Sequence, residues 1–197
     1  MDAFERLVTV NRFNPPASIP LSISLTHNLD KQWCDEMSRA MMKRFKWSIR
    51  EATSTLHELL PEKMGLYMFV WRMPFPMPSK IPTDHFRVVL YVGQAGGESE
   101  ASTLKTRYQQ EYAKIVGGNP ESLWTPEPKN RVEKLNRFLN LRDLEFWYHD
   151  NVSDCNLLKT FETALISVFN PPANTVGRAN ENSATVTGTL RKPIPAF

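Results

Sequence analysis

The sequence of 197 residues predicts an α/β (α+β) domain with a small, mainly antiparallel, three-stranded central sheet flanked by helices. Residues 65–70, 86–92 and 144–149 are rich in β-branched and aromatic side chains, which is typical of strands. Residues 102–116 and 154–169 carry apolar side chains at helical spacing, which predicts two helices. A chain of this length buries enough apolar surface to fold without disulfide bonds.

A largely helical extension is predicted for residues 1–62. Three prolines within the first 20 residues disfavour a helix there and indicate an irregular start. Apolar side chains then recur every four residues from Trp33 to Phe45, which predicts a helix. Ser48 and Glu51 have the spacing of a capping box, so a second helix is expected from Ser48 to Pro61.

An insertion is predicted between the first two strands, at residues 72–85. It contains four prolines, and proline cannot donate the backbone hydrogen bond that a central strand requires. We therefore expect a loop or an arm. Two interpretations are open: the arm selects a substrate, or it is a permissive surface insertion.

The second half of the chain is predicted to add a helix, a strand and a tail. Residues 131–141 have helical periodicity, and Leu144, Phe146 and Tyr148 alternate onto one face of the third strand. Asp154 is placed to cap the following helix. Residues 177–197 are polar and are predicted to form a poorly packed tail.

The charge distribution suggests where a polyanion would bind. A net charge of +3 is too small to indicate one alone. A basic cluster nevertheless occurs with no acidic residue between positions 37 and 49, and Lys105 lies on the helix predicted at 102–116. The cluster consists of Arg39, Lys43, Arg44, Lys46 and Arg50. These side chains are candidate phosphate contacts, and a merely solvated face is the alternative.

Composition also argues against several classes of protein. The two cysteines, Cys34 and Cys155, are far apart and lack the spacing of metal ligands, so neither a zinc site nor a disulfide framework is expected. No apolar run is long enough to cross a bilayer. A cytoplasmic protein without a membrane partner is the expectation, and the oligomeric state is left open.

An ordered set of polar residues and glycines accompanies the predicted strands and helices. The tripeptides Gly65-Leu66-Tyr67 and Tyr91-Val92-Gly93 lie in the first two strands, and three single residues follow: Arg107, Glu162 and Asn174. If the strands form a hairpin, Tyr67, Phe69 and Trp71 share one face, and Arg87, Val89 and Tyr91 share a face of the second strand. Both tyrosines can then meet on one surface.

This order resembles that of the GIY-YIG nuclease domain, over residues 63–176. The resemblance implies a metal-dependent endonuclease that hydrolyses DNA, duplex or branched, with Mg²⁺ or Mn²⁺. It implies that Tyr67 and Tyr91 are the base and positioning candidates, that Arg107 stabilises phosphate charge, and that Glu162 is the metal ligand. Gly93 would allow close approach of the backbone, and Asn174 would form hydrogen bonds within the site. Restriction-like, mobile-element and structure-selective repair enzymes are all compatible with this resemblance.

Two positions depart from the family pattern. Some members have a lysine directly after the second tripeptide, where this chain has Gln94. Some members also have a histidine or tyrosine four positions after the arginine, where this chain has Glu111. An ordinary tyrosine with a pKa of about 10 is a poor base at neutral pH. The site would therefore lower the pKa through Arg107 or another nearby cation, for which Lys105 is one candidate, or use the hydroxyl group as a relay. These departures motivate one alternative, an inactive protein that binds nucleic acid or another partner. An unrelated small globular protein is the other.

Overall fold

The computed structural model describes residues 45–76, 85–97, 102–119, 122, 128, 130–152 and 154–175, and shows a mixed α/β fold. Four strands and three α-helices follow one another along the chain, with a short 3-10 helix at Leu56–Leu59. They are β1 (Ser48–Glu51), β2 (Gly65–Pro76), β3 (His85–Ala95), α1 (Leu104–Glu111), α2 (Arg131–Phe138), β4 (Leu144–His149) and α3 (Cys155–Phe169). The helix predicted from Trp33 and the tail at 177–197 lie outside the described residues.

The sheet has four antiparallel strands in the order β1-β4-β2-β3, not the three predicted. The additional strand is β1, within the segment that was expected to begin a helix at Ser48. Ser48 pairs with Tyr148 and Glu51 with Glu145, and the amide of Ala52 donates to the carbonyl of Leu144 at 2.8 Å. Pairing with β4 therefore overrides the local capping pattern, and the prediction of a helix from Ser48 to Pro61 is wrong.

Helices cover both faces of the sheet. The face of Tyr67 and Phe69 packs against apolar side chains of α1 and α2, including Leu104 and Leu135. The opposite face packs against α3 and Phe45. The side chain of Asp154 accepts a hydrogen bond from the amide of Asn156 at 2.8 Å, so its predicted capping role is confirmed. None of the helices in the described ranges is long and apolar enough to cross a membrane.

The hairpin of β2 and β3 extends into the proline-rich insertion. Arg72 pairs with Arg87, and Pro76 pairs with His85, so the prediction of a loop over the whole of 72–85 is wrong at both ends. β4 pairs with β2 only as far as Trp71. Beyond that residue β2 is paired on one side, and a strand paired on one side tolerates proline. Residues 77–84 lie outside the described ranges.

A β-bulge interrupts the alternation of β3. Phe69 pairs with Tyr91 but Val70 pairs with Val89, which leaves Leu90 as an extra residue. Tyr91 therefore packs on the face of Tyr67, whereas Val89 packs on the opposite face. The prediction that Val89 and Arg87 share the face of Tyr91 is wrong, and the side chain of Arg87 instead donates to Glu145 at 3.0 Å.

Candidate functional site

The two tripeptides bring both tyrosines onto one surface of the sheet. Tyr67 lies opposite Gly93 in the β2–β3 register, and the ring centroids of Tyr67 and Tyr91 are 6.3 Å apart. A β-carbon on Gly93 would come within 2.5 Å of the Tyr67 hydroxyl oxygen. Glycine at this position therefore lets the Tyr67 ring lie across the backbone of β3, which is a packing reason for the residue.

The Tyr67 hydroxyl is enclosed. Tyr67 is only 2% exposed, and its hydroxyl oxygen lies 2.7 Å from that of Tyr112, which follows α1. Burial raises the pKa of Tyr67 well above its usual value, and neighbouring Tyr91 raises it further. Burial likewise raises the pKa of Tyr112. The pair is therefore protonated at neutral pH and can relay a proton, but it does not supply a phenolate.

The Tyr91 hydroxyl has a cationic partner, Arg131. The guanidinium Nη2 and Nε of Arg131 donate to the Tyr91 oxygen at 2.9 and 3.3 Å. The same Nη2 also lies 3.3 Å from the Tyr112 hydroxyl. Arg131 is the first residue of α2 and belongs to neither tripeptide, so sequence reasoning missed it. The signal that could have found it is a cation at a helix N-terminus, where the helix dipole disfavours positive charge.

Glu111 joins Arg131 to Arg107. Arg107 Nη1 donates to Glu111 Oε1 within α1, and Arg131 Nη2 donates to Glu111 Oε2 at 2.8 Å. Burial alone would raise the pKa of Glu111, but the hydrogen bonds and charges of Arg131 and Arg107 outweigh burial and lower it. Glu111 is therefore ionised at neutral pH. The Nε of Arg107 is buried and has no hydrogen-bond partner among the described residues.

Glu162 lies on α3 and is half-buried. Burial raises the pKa of its carboxyl group, although the charges of Arg107, Arg131 and Lys159 act in the opposite direction. The structure thus brings Glu162 within electrostatic reach of both arginines of the site. Within the described part of the chain, nothing donates a hydrogen bond to its carboxylate.

The carboxylate of Glu162 is the group of this cluster that could bind a divalent cation. Among the described residues, no group of three or more histidine, cysteine, aspartate or glutamate side chains could hold a metal ion. A cation at Glu162 would therefore take most of its ligands from water and from a substrate phosphate. Mg²⁺ and Mn²⁺ accept such oxygen ligands, so the residues present fit either ion.

Asn174 holds the second tripeptide by its backbone. Its side-chain oxygen accepts from the amide of Val92 at 2.9 Å, and its Nδ2 donates to the carbonyl of Val92 at 2.9 Å. The amide of Ala173 also donates to the carbonyl of Leu90 at 2.9 Å. Asn174 is thus bonded to the strand that presents Tyr91, and its contacts position the site.

Lys46, Arg50 and Lys105 are the basic candidates that lie within the described residues. Lys46 is exposed and precedes β1, and Arg50 lies on β1, beside a surface cavity that it shares with Arg72 and Glu145. Lys105 donates to Glu62 at 2.6 Å, so its contact in the structure is with an exposed acid and not with a tyrosine. Arg39, Lys43 and Arg44 lie outside the described residues.

The fold and this cluster define a mixed α/β domain in which tyrosines, two arginines and Glu111 gather on one face of an antiparallel hairpin. Glu162 comes from α3, which packs against the other face, and lies within electrostatic reach of both arginines. Comparisons of the chain with protein-family models, with curated proteins and with solved structures found no match. The functional argument therefore depends on the geometry of the residues and on their chemistry.

Proposed function

We propose that this protein is a metal-dependent endonuclease that hydrolyses DNA phosphodiester bonds with a GIY-YIG-type site. One observation carries the proposal. Tyr67, Tyr91 and Arg107, which lie far apart in the sequence, meet at one cluster, and Glu162 from α3 faces the same arginines. A chance similarity between short tripeptides would not by itself bring Arg107 and Glu162 close to the two tyrosines.

The residues divide the chemical tasks of phosphodiester hydrolysis. Tyr91 takes the proton of the attacking water. Tyr67 is less suited to this task, because its hydroxyl group is enclosed with that of Tyr112 and the pKa of Tyr67 is raised. Arg107 stabilises negative charge on the phosphate, for which its planar guanidinium is suited. Glu162 holds the cation. A bound Mg²⁺ or Mn²⁺ would polarise the phosphate and stabilise its transition-state charge.

The test is cleavage of supercoiled plasmid, branched DNA and single strands in Mg²⁺, Mn²⁺ or EDTA. Wild-type protein is expected to give metal-dependent products. Glu162→Gln should bind DNA but give none, since it removes the carboxylate assigned to the cation while keeping its size. Glu58→Gln, an exposed site on the 3-10 helix, is the matched control and should cut normally. Wild-type cleavage rates in Glu162→Gln would contradict the site assignment.

A second candidate is a protein that binds nucleic acid or another partner without cutting. It is favoured by Glu111, whose carboxylate already occupies donors of Arg107 and Arg131 that a phosphate would need. The same assay separates the two candidates. Wild-type protein that binds DNA but yields no products with either metal would support the binding role and exclude the nuclease.

A further inference from the structure

Arg131 occupies a position that helix stability does not explain. It is the first residue of α2, directly after Asn130, whose side chain caps the helix by accepting from the amide of Glu133. A positive charge at a helix N-terminus opposes the helix dipole and is unfavourable for the helix. A residue that is unfavourable for its own helix needs compensation from contacts elsewhere.

Those contacts converge on one oxygen. Two N–H groups of Arg131 point at the Tyr91 hydroxyl, and the guanidinium carbon lies 5.4 Å from the centroid of the Tyr91 ring. Glu111 Oε2 accepts a hydrogen bond from the same Nη2 at 2.8 Å. The Arg131 side chain is 41% exposed, so this contact lies at the open side of the cluster and not in the core.

We infer that Arg131 is a positioning residue for Tyr91, the cation that the site uses where related domains place a lysine at the position of Gln94. This inference rests on the proposed nuclease function. In that reaction the water oxygen bonds to phosphorus, the proton of the water passes to the Tyr91 oxygen as Tyr91 gives its own hydroxyl proton to solvent, and the bond from phosphorus to the leaving sugar oxygen breaks. The leaving oxygen takes a proton from solvent.

Arg131 acts through the tyrosine in this scheme. Its two donors hold the Tyr91 oxygen in one place and compensate the negative charge that develops on this oxygen as its own proton leaves. Glu111 keeps the guanidinium aligned and links it to Arg107, so the two arginines are oriented together. Tyr67 and Tyr112, the other titratable neighbours of the Tyr91 ring, are paired with each other.

The experiment compares Arg131→Ala, Arg131→Lys and the control Lys134→Ala, which removes a cation from the same helix. Arg131→Ala is expected to lower kcat about 100-fold, as does loss of a donor that stabilises a developing charge, with little change in KM. Arg131→Lys keeps the charge but loses the bidentate contact, so it should recover part of kcat. Lys134→Ala should cut at the wild-type rate. Thermal melting of each variant verifies folding.

A double-mutant cycle separates positioning from a purely structural role. Because Arg131 acts through the Tyr91 hydroxyl, Arg131→Ala should slow a Tyr91→Phe protein no further. Additive losses, an unchanged kcat in Arg131→Ala, or no recovery by Arg131→Lys in a folded protein would each overturn the inference while the nuclease function stands. A wild-type protein that cuts no substrate would instead overturn the proposed function, and the role of Arg131 with it.

Discussion

The two tripeptide tyrosines have hydroxyl groups in different surroundings. The Tyr67 hydroxyl faces another tyrosine inside the core, whereas the Tyr91 hydroxyl faces a half-exposed guanidinium. The proposed function therefore gives the same residue type two tasks, one as a neutral relay and the other as a base held by a cation. The hydrogen-bond partner of each hydroxyl oxygen therefore influences the chemistry of that tyrosine more than the position of the tyrosine in a tripeptide does.

Glu162 illustrates the cost of a functional residue. Burial raises its folded-state pKa above the unfolded-state value, so its contribution to stability is fully present below the unfolded-state pKa. This contribution is lost as pH rises through the folded-state pKa. Glu162→Gln should therefore melt at a higher temperature than wild type at about pH 7, and the difference should shrink toward about pH 4. Thermal melting across this range is the measurement.

Stabilisation by metal ions tests the role of Glu162 independently of its pKa. A cation that binds only the folded state raises the melting temperature, so Mg²⁺ or Mn²⁺ should stabilise the wild type and leave Glu162→Gln unchanged. Glu58→Gln should respond as the wild type does. Equal stabilisation of all three proteins would show that Glu162 is not a ligand of the cation.

Elements with their own local signals were predictable from the sequence. The apolar periodicity of α3 and the aromatic run of β4 gave the correct element types, and residues 144–149 match β4 at both ends. The bulge at Leu90 was not predictable because it depends on how β3 pairs with β2. β1 was missed since its four side chains are all exposed, so no alternating apolar pattern marks it.

The arm between β2 and β3 can be shortened without removing any of the paired residues of the two strands. Pro76 and His85 are register partners, so residues 77–84 can be replaced by a two-residue Asn-Gly turn that closes the hairpin. The fold should be retained, because the cores on both faces of the sheet lie elsewhere. Thermal melting and mapping of cleavage products check this prediction. The shortened protein should cut a different set of sites if the arm selects substrate. An unchanged pattern at an unchanged rate would mean that the arm is a permissive insertion.

At the scale of the whole molecule, the site is built from five elements: β2, β3, α1, α2 and α3. The candidate residues were chosen because their order resembles that of a known family, but their arrangement was not predictable from that order. Arg131 and Glu111 meet only because α1 and α2 cover the same face of the sheet. Lys105 was a reasonable candidate for the cation on α1, yet its side chain pairs with Glu62. Tertiary packing therefore decides which cation reaches the tyrosine.

The exposed basic residues near β1 provide a test of binding by the whole surface. Lys46→Glu with Arg50→Glu should weaken DNA binding if both contact phosphate, and should flatten the slope of log affinity against log salt by about 0.9 for each lost contact. Lys134→Glu with Arg142→Glu makes the same change of charge elsewhere and serves as the control. Equal effects of both pairs would indicate a general field effect and no local contact.

The hydrogen bonds of Ala173 and Asn174 have a consequence for association between chains. β3 is an edge strand of the sheet, and an edge strand with free amide and carbonyl groups is a template for pairing with another polypeptide. The carbonyl of Leu90 and both the amide and the carbonyl of Val92 are already bonded to the chain that follows α3. The middle of β3 is thereby closed to strand addition, and the tyrosine cluster is protected from being drawn into an aggregate through this edge.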